Sequence, residues 1–208
     1  METLKVIKIG GAMLDDATSL ATFIKHFSKI EGPKILVHGG GNLATGLAEK
    51  MNIEVKMVDG RRVTNKETLD IINMVYAGKI NKKIVATLQS NACNSIGFTG
   101  ADGDVIVSVK RPVKEVDYGF VGDIVKVNTD ALELLMMHNV TPVFCAITHD
   151  GNGQLLNTNA DTIAAELAIV FAKKFYTELY YCFEKKGVLL DVNDEDSLVE
   201  NINQKKYE

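Results

Sequence analysis

The sequence has no tryptophan and, among 208 residues, only three prolines and three cysteines. The cysteines, Cys93, Cys145 and Cys182, are odd in number, far apart and without a CxxC pair. This excludes a disulfide framework and argues against a zinc site, so we expect free thiols in a reducing compartment. No apolar run approaches the roughly 20 residues that span a bilayer, and the first residues lack the pattern of a secretory signal. These absences predict a cytoplasmic protein without a membrane anchor.

Charge of one sign does not dominate the sequence either. The formal net charge is −4, with 24% charged and 46% hydrophobic residues. A slightly acidic balance argues against a nucleic-acid surface held by bulk electrostatics, although a local basic pocket for a small anion remains open. A chain of this length and apolar content can bury a large core without disulfides or structural metals.

Short β-branched segments alternate with longer amphipathic ones along the chain. The predicted strands are Leu4–Ile9, Lys34–Val37, Val105–Val109, Ile124–Val127, Val143–Ile147 and Tyr180–Phe183. The predicted helices start after Asp15 or Asp16, cover Leu43–Met51, follow Thr64, and cover Asp130–Met137 and Ala160–Lys173. Helices between short buried strands predict an α/β fold, a three-layer αβα sandwich with a mainly parallel central sheet.

The segment between the second and third predicted helices has a different pattern. Asp59-Gly60 between two β-branched stretches predicts a two-residue hairpin turn. Thr64 and Glu67 have the spacing of a capping box for a long helix with apolar positions that include Met74 and Val75. We expect Gly78 to interrupt that helix before a further helical stretch at Ile80–Gln89.

Glycines follow the first two predicted strands, as Gly10-Gly11 and as Gly39-Gly40-Gly41. Ligands of open parallel sheets bind at the carboxyl ends of the strands, and glycine lets backbone N–H groups approach an anion closely. Two such turns therefore indicate an anionic group held from two sides. The alternative, open from these residues alone, is that the glycines only permit tight turns. Neither run is a dinucleotide fingerprint or a P-loop.

Lys8 and Asp161 are the two charged candidates for this edge. Lys8 lies in a strand of Ile, Val and Leu just before the first glycine turn, where a buried ammonium needs an anionic partner. It could instead extend its ammonium to water at an edge. Asp161 follows Thr158 and Asn159, either of which can cap the next helix. Asp161 either stabilises that helix through the helix dipole or orients the lysine.

Four segments together resemble the amino acid kinase family, and within it the N-acetylglutamate kinases of arginine biosynthesis. They are LKVIKIGGAML at 4–14, ILVHGGGN at 35–42, DGRRVT at 59–64 and GQLLNTNADTIAAELA at 153–168. The resemblance implies transfer of the γ-phosphoryl group of MgATP to the side-chain carboxylate of N-acetyl-L-glutamate, or of a related N-acyl-L-glutamate such as the succinyl compound. The product would be an acyl phosphate.

The resemblance also assigns roles to particular residues. Lys8 would stabilise the transferring phosphoryl group, and Asp161 would hold Lys8 by an ion pair. Backbone donors around the phosphoryl group and the acceptor would come from Gly10, Gly11, Gly40 and Gly41. Arg62 would bind the α-carboxylate of the substrate, and Asn157 would also bind the amino acid. No protein metal site is expected, because Mg²⁺ would arrive on the ATP phosphates.

The resemblance further implies a single domain over residues 1–208, with an amino-acid lobe at about 1–150 and a partial nucleotide lobe at about 151–208. It implies a homodimer through the first lobe. Because no helix precedes the first strand, it also implies no feedback inhibition by arginine.

Two features depart from the family pattern. A second catalytic lysine is not found before Glu208, and the nucleotide loop reads Phe183–Val188 without the family residues. The alternative is therefore a catalytically impaired module for amino-acid binding or oligomerisation.

Overall fold

The computed structural model describes residues 2–58, 60–191 and 193–203. The strands are β1 Thr3–Ile9, β2 Lys34–His38, β3 Met57–Val58, β4 Arg61–Arg62, β5 Ser95–Phe98, β6 Ile106–Lys110, β7 Gly122–Val127, β8 Thr141–Cys145, β9 Ile147–His149, β10 Leu155–Asn157 and β11 Tyr176–Cys182. The helices are α1 Gly11–Asp15, α2 Ala17–Ser28, α3 Leu43–Lys50, α4 Lys66–Asn73, α5 Asn81–Ser90, α6 Asp130–Met137 and α7 Ala160–Phe171. A π-helical segment, Met74–Ile80, joins α4 to α5, and Asp102–Asp104 form a 3₁₀ turn.

In the described part of the chain, five parallel strands form the central sheet in the order β11-β1-β2-β8-β5. Every residue of β2 and β8 is buried, as expected of strands with both faces covered. Helix α7 packs against β1, β2 and β11, and α5 packs against β5 and β8. The predicted α/β fold with a mainly parallel central sheet is confirmed.

A smaller mixed sheet has the strand order β10-β9-β6-β7, and β3 and β4 form a separate hairpin. In the sequence, these strands are insertions between the strands of the central sheet. Strands β5 and β10 were not predicted, because they are short and contain polar or glycine residues. The hairpin is confirmed by the antiparallel pairing of Met57 with Arg62 and Val58 with Arg61. Asp59, part of the predicted turn, lies outside the described residues.

The predicted capping box is wrong. Asn65, not Thr64, caps α4, and its side-chain oxygen accepts a hydrogen bond of 2.8 Å from the Thr68 N–H. Thr64 is fully buried, and its N–H donates to the Tyr118 carbonyl at 2.9 Å. Thr64 therefore serves a contact between distant segments, and the neighbouring asparagine, an equally good capping residue, starts the helix.

Gly78 does not break the helix, contrary to prediction. The chain continues from α4 into the π-helical segment and then into α5. A π-helical turn contains more residues than an α-helical turn, so it changes which side chains face the core. Met74, counted among the apolar core positions, is 52% exposed, whereas Val75 and Tyr76 are buried.

Among the residues that the structure describes, none of the helices combines the length and apolar character needed to cross a bilayer.

Candidate active site

The parallel register of β1 and β2 places the two glycine turns side by side. Ile9 pairs with His38, so both strands end at the same level. A Cβ on Gly11 would lie 2.8 Å from the Gly41 Cα, too close for any side chain. Gly41 also has a φ of +54°, a conformation that favours glycine. At these two positions, glycine is required because the backbones of the turns touch.

Asp15 joins the two turns. Its carboxylate accepts hydrogen bonds of 3.2 Å from the Asn42 N–H and of 2.9 Å from the Asn42 side-chain amide. By sequence, either Asp15 or Asp16 could cap the following helix. Asp16 takes that role and accepts from the N–H groups of Thr18 and Ser19. Asp15 is thereby left to hold the second glycine turn against the first, a role that its position in the sequence did not indicate.

Lys8 and Asp161 form an ion pair at the same edge of the sheet. The Lys8 Nζ lies 2.8 Å from the Asp161 Oδ1. Asp161 is in the first turn of α7, which Asn159 caps by accepting from the Thr162 N–H at 3.0 Å. The Lys8 side chain is 18% exposed, so its ammonium reaches the cleft without entering bulk water. The structure thus brings this pair together as the resemblance implied.

A cleft of about 380 Å³ opens above the turns and the ion pair. Of the eight site residues predicted from sequence, seven line it: Lys8, Gly11, Gly40, Gly41, Arg62, Asn157 and Asp161. Gly10 does not belong to the lining. Its N–H donates to the Cys182 carbonyl at 2.9 Å as part of the pairing between β1 and β11. The expectation that Gly10 offers a backbone donor to a ligand is therefore corrected.

Arg62 and Asn157 also line the cleft, and each donates a hydrogen bond to a threonine hydroxyl. The Arg62 Nη2 donates to the Thr45 Oγ1 at 2.8 Å, which ties the hairpin to α3. The Asn157 side-chain amide donates to the Thr64 Oγ1 at 3.0 Å. Both partners were missed by sequence analysis, because neither threonine is close in sequence to the residue that it supports.

Tyr76 is a further lining residue that sequence analysis missed. A Cβ on Gly40 would lie 1.5 Å from the Tyr76 Cε1, so the aromatic ring occupies the space beside this glycine. Burial raises the pKa of the Tyr76 phenol, and the neighbouring Arg62 guanidinium opposes that rise. The only sequence signal was a tyrosine within an otherwise aliphatic helical pattern.

His38 lies under the glycine turn and is fully buried. Its Nδ1 is 2.7 Å from the Gly39 carbonyl oxygen, and its Nε2 is 3.1 Å from the Asn81 side-chain amide. Since a carbonyl only accepts, these contacts indicate the tautomer protonated at Nδ1. Burial lowers the pKa of His38 to about 4. A buried, neutral imidazole in this position supports the glycine turn from below.

The cleft has an excess of positive charge. Lys8, Arg61, Arg62 and Arg111 line it, with Asp161 as the carboxylate beside Lys8. Arg111 is paired with Asp123 through its Nε at 3.1 Å. Guanidinium and ammonium groups together with glycine backbone and the start of α7 suit a ligand with several anionic oxygens.

Comparison with known families matches residues 3–208 to the amino acid kinase family. This chain belongs to that family. The Acetylglutamate kinase of Cytophaga hutchinsonii is 53% identical over 209 residues, covering 100% of this chain and 79% of that protein. The Acetylglutamate kinase of Phocaeicola vulgatus is 54% identical over 206 residues, covering 99% and 80%.

Solved structures show the same amino acid kinase fold. The protein smu.665 from Streptococcus mutans superposes with a TM-score of 0.77 at 25% identity, over 89% of this chain and 74% of that one. The family membership and the α/β fold that the sequence motifs indicated are both confirmed.

Proposed function

We propose that this chain is an acetylglutamate kinase, which transfers the γ-phosphoryl group of ATP to the side-chain carboxylate of N-acetyl-L-glutamate in arginine biosynthesis. Relatives of that name, about half identical over the whole chain, support the reaction. The observation that carries the proposal in the structure is the Lys8–Asp161 ion pair beside two touching glycine turns.

The site residues fit the demands of phosphoryl transfer, which needs positioning and cationic stabilisation rather than a covalent nucleophile. Lys8 would neutralise charge on the transferring group, and Asp161 would fix the position of the ammonium. Backbone groups of Gly11, Gly40 and Gly41 would surround the phosphoryl group and the acceptor oxygens. The acceptor carboxylate is already ionised at neutral pH, so the reaction needs no general base. The buried, neutral His38 is consistent with that chemistry.

Arg62 and Asn157 would bind the other end of the amino acid. The planar guanidinium of Arg62 suits the α-carboxylate, because it can donate two parallel hydrogen bonds. The Asn157 side-chain amide, which donates to the Thr64 hydroxyl, offers a further donor and an acceptor to the substrate. In this arrangement Lys8 would face the side-chain carboxylate of the substrate, and Arg62 would face its α-carboxylate.

Magnesium would enter with the nucleotide. Among the described residues, no three His, Cys, Asp or Glu side chains come together as a metal cage. The donor set of the cleft, one carboxylate already paired with a lysine, fits an ion held mainly by phosphate oxygens and water. When bound, Mg²⁺ supplies charge neutralisation to those phosphates.

The direct test is product identification. The protein is incubated with MgATP and N-acetyl-L-glutamate, N-succinyl-L-glutamate or L-glutamate; ADP release is followed, and the acyl phosphate is trapped with hydroxylamine. We expect ADP release matched by hydroxamate with an N-acyl-glutamate, and the preferred acyl group is read from kcat/KM. ATP hydrolysis without hydroxamate, or no turnover of any acyl glutamate, contradicts the proposal.

No observation among the matched relatives favours the impaired binding module. Calorimetry separates the kinase from the binding module, because that module would bind the acyl amino acid but not MgATP.

The described residues contain free thiols at Cys93, Cys145 and Cys182, which support a cytoplasmic location.

We also propose two lobes, with the amino-acid lobe at roughly residues 1–150 and residues 151–208 contributing to the nucleotide lobe. The protein would form a homodimer through the amino-acid lobe. Support for this surface comes from Met74, which is 52% exposed on the helical segment after Thr64. Sedimentation velocity tests it: Met74→Glu is expected to shift a dimer towards monomer, and Met137→Glu, at a 79% exposed position on α6, is the control. A wild-type monomer contradicts the dimer.

A further inference from the structure

Asn81, the first residue of α5, is a buried amide with a defined orientation. It is 1% exposed, and an amide in such a place is costly unless its polar groups are paired. Its Nδ2 donates to the Val143 carbonyl oxygen at 2.9 Å, and its Oδ1 accepts from the Lys82 ammonium at 3.4 Å. Because a carbonyl only accepts and an ammonium only donates, these partners fix which end of the amide carries the N–H groups.

The second proton on the Asn81 Nδ2 fixes the tautomer of His38. This amide nitrogen lies 3.1 Å from the His38 Nε2, which therefore accepts the hydrogen bond and carries no proton. The proton of the neutral ring is then on Nδ1, which lies 2.7 Å from the Gly39 carbonyl oxygen. The ring is fully buried, so water does not compete for either contact. Asn81 thereby makes His38 a donor to the glycine turn.

The hydrogen bond to the Gly39 carbonyl sets the direction of the next N–H group. The Gly39 carbonyl and the Gly40 N–H belong to one planar trans peptide group and point in opposite directions. With the carbonyl held by the buried ring, the Gly40 N–H points away from His38, and none of the described residues accepts a hydrogen bond from it. Gly40 is buried and lines the cleft, where an unpaired N–H is costly until a ligand accepts from it.

A glycine in the central sheet makes room for the Asn81 side chain. A Cβ on Gly97, in β5, would lie 1.8 Å from the Asn81 Oδ1. Helix α5 packs against β5 and against its neighbour β8, which carries Val143. Because position 97 has no side chain, the amide can lie over β5 and reach both β8 and His38 on β2.

We infer that Asn81 is a positioning residue, which acts through His38 to direct the Gly40 N–H at the oxygens around the transferring phosphoryl group. The inference rests on the proposed function. Asn81 is not part of the cleft lining, so it acts without touching the substrate. A donor that is oriented before the reaction stabilises the charge of the transition state without a cost of reorganisation.

NMR of the wild-type protein at neutral pH tests the hydrogen-bond network without any substitution. Long-range proton–nitrogen correlation spectra show whether a histidine ring is protonated at Nδ1, at Nε2 or at both nitrogens. We expect His38 to be protonated at Nδ1 alone, and its signals are assigned by their loss in His38→Asn. His26, at an exposed position on α2, is the reference for an unconstrained ring. A His38 ring protonated at Nε2 alone, or at both nitrogens, overturns the inference.

Asn81→Leu tests the effect on the reaction, because it keeps a side chain of similar size and removes the donor to His38. We expect kcat with N-acetyl-L-glutamate to fall about 10- to 100-fold, with KM for both substrates within about threefold, because a donor to the transition state is misplaced. The His38 ring should no longer be confined to the form protonated at Nδ1. Asn91→Leu, which removes an exposed amide at the end of α5, is the matched control and should leave kcat and the His38 spectrum unchanged.

Gly97→Ala tests the same network from a residue outside it. The added methyl group overlaps the Asn81 Oδ1, so we expect the same fall in kcat and the same change in the His38 spectrum. Thermal melts of each variant exclude loss of folding as the cause. Wild-type kcat in Asn81→Leu, or a lower kcat with an unchanged His38 tautomer, overturns the inference.

Failure of the inference and failure of the proposed function give different results. A wild-type protein that turns over no N-acyl-L-glutamate contradicts the proposed function, whatever the tautomer of His38. An active wild type with His38 protonated at Nε2 contradicts only the inference.

Discussion

Single residues of the glycine turns show what a sequence can and cannot reveal. Three consecutive glycines predicted a turn with unusual backbone freedom, and Gly41 does adopt a positive φ. The constraint on Gly40 is different, since it comes from the Tyr76 ring. That ring belongs to a distant segment, so no local pattern could have indicated it. The motif located the turn, but only the fold explains each glycine.

Gly40→Ala is therefore expected to be destabilising. The added methyl group overlaps the Tyr76 ring, and forcing extra volume into a packed site costs about 1–3 kcal/mol. Urea denaturation measures the free energy of unfolding. The control is Gly46→Ala in α3, where nothing lies within 4 Å of the new methyl group. That variant should gain about 0.5–1 kcal/mol from helix propensity. Equal stability of Gly40→Ala and wild type would contradict the packing described here.

Lys8 and Asp161 were each recognised as candidates from their local sequence, but the residues alone left both with ordinary structural alternatives. The family resemblance assigned the pair, and the structure places the two charges 2.8 Å apart. Tyr76, Thr45 and Asp15 had no comparable signal. Their contacts depend on how helices and turns pack, which hydrophobic periodicity does not specify.

At the scale of elements, β2 carries a pH-dependent contribution to stability. His38 at its end is fully buried, and burial lowers its pKa from 6.5 to about 4. The unfolded chain therefore binds more protons than the folded chain between these values, so stability is complete above about pH 7 and is lost as the pH falls. Between pH 7.5 and pH 5, the loss is expected to be about 2 kcal/mol.

Urea denaturation at the two pH values measures this loss. His38→Asn should remove about 2 kcal/mol of the pH dependence, and His26→Gln, at an exposed position on α2, is the control for loss of a histidine. A His38→Asn variant with the same pH dependence as wild type would show that the titration lies elsewhere.

Elements with a long, regular hydrophobic pattern were predicted well. The strand at 4–9 and the helices at 130–137 and from 160 are confirmed with small changes at their ends. The failures have specific physical causes. Strands β5 and β10 are too short to show a hydrophobic period. Thr64 does not cap α4, because its backbone pairs with Tyr118. A π-helical turn replaces the expected break at Gly78.

On the scale of the whole molecule, the candidate site exists because separate parts of the chain meet at one sheet edge. β1 pairs with both β2 and β11, and α7 packs across β1 and β2, which delivers Asp161 to Lys8. The alternation of strands and helices predicted a parallel sheet and therefore a shared edge, but it did not predict the strand order. This strand order brings the two charged residues and the two glycine turns together in one cleft.

The most direct test of the account is the kcat of Lys8→Met with N-acetyl-L-glutamate and MgATP. Removing one preorganised charge-stabilising group is expected to lower kcat by about 10²-fold or more, since Lys8 acts on the transferring phosphoryl group. Lys5→Met, on the same strand, should stay within about twofold of wild type and controls for loss of a lysine from β1. A Lys8→Met enzyme that retains wild-type kcat would contradict the assignment of Lys8 to the phosphoryl group.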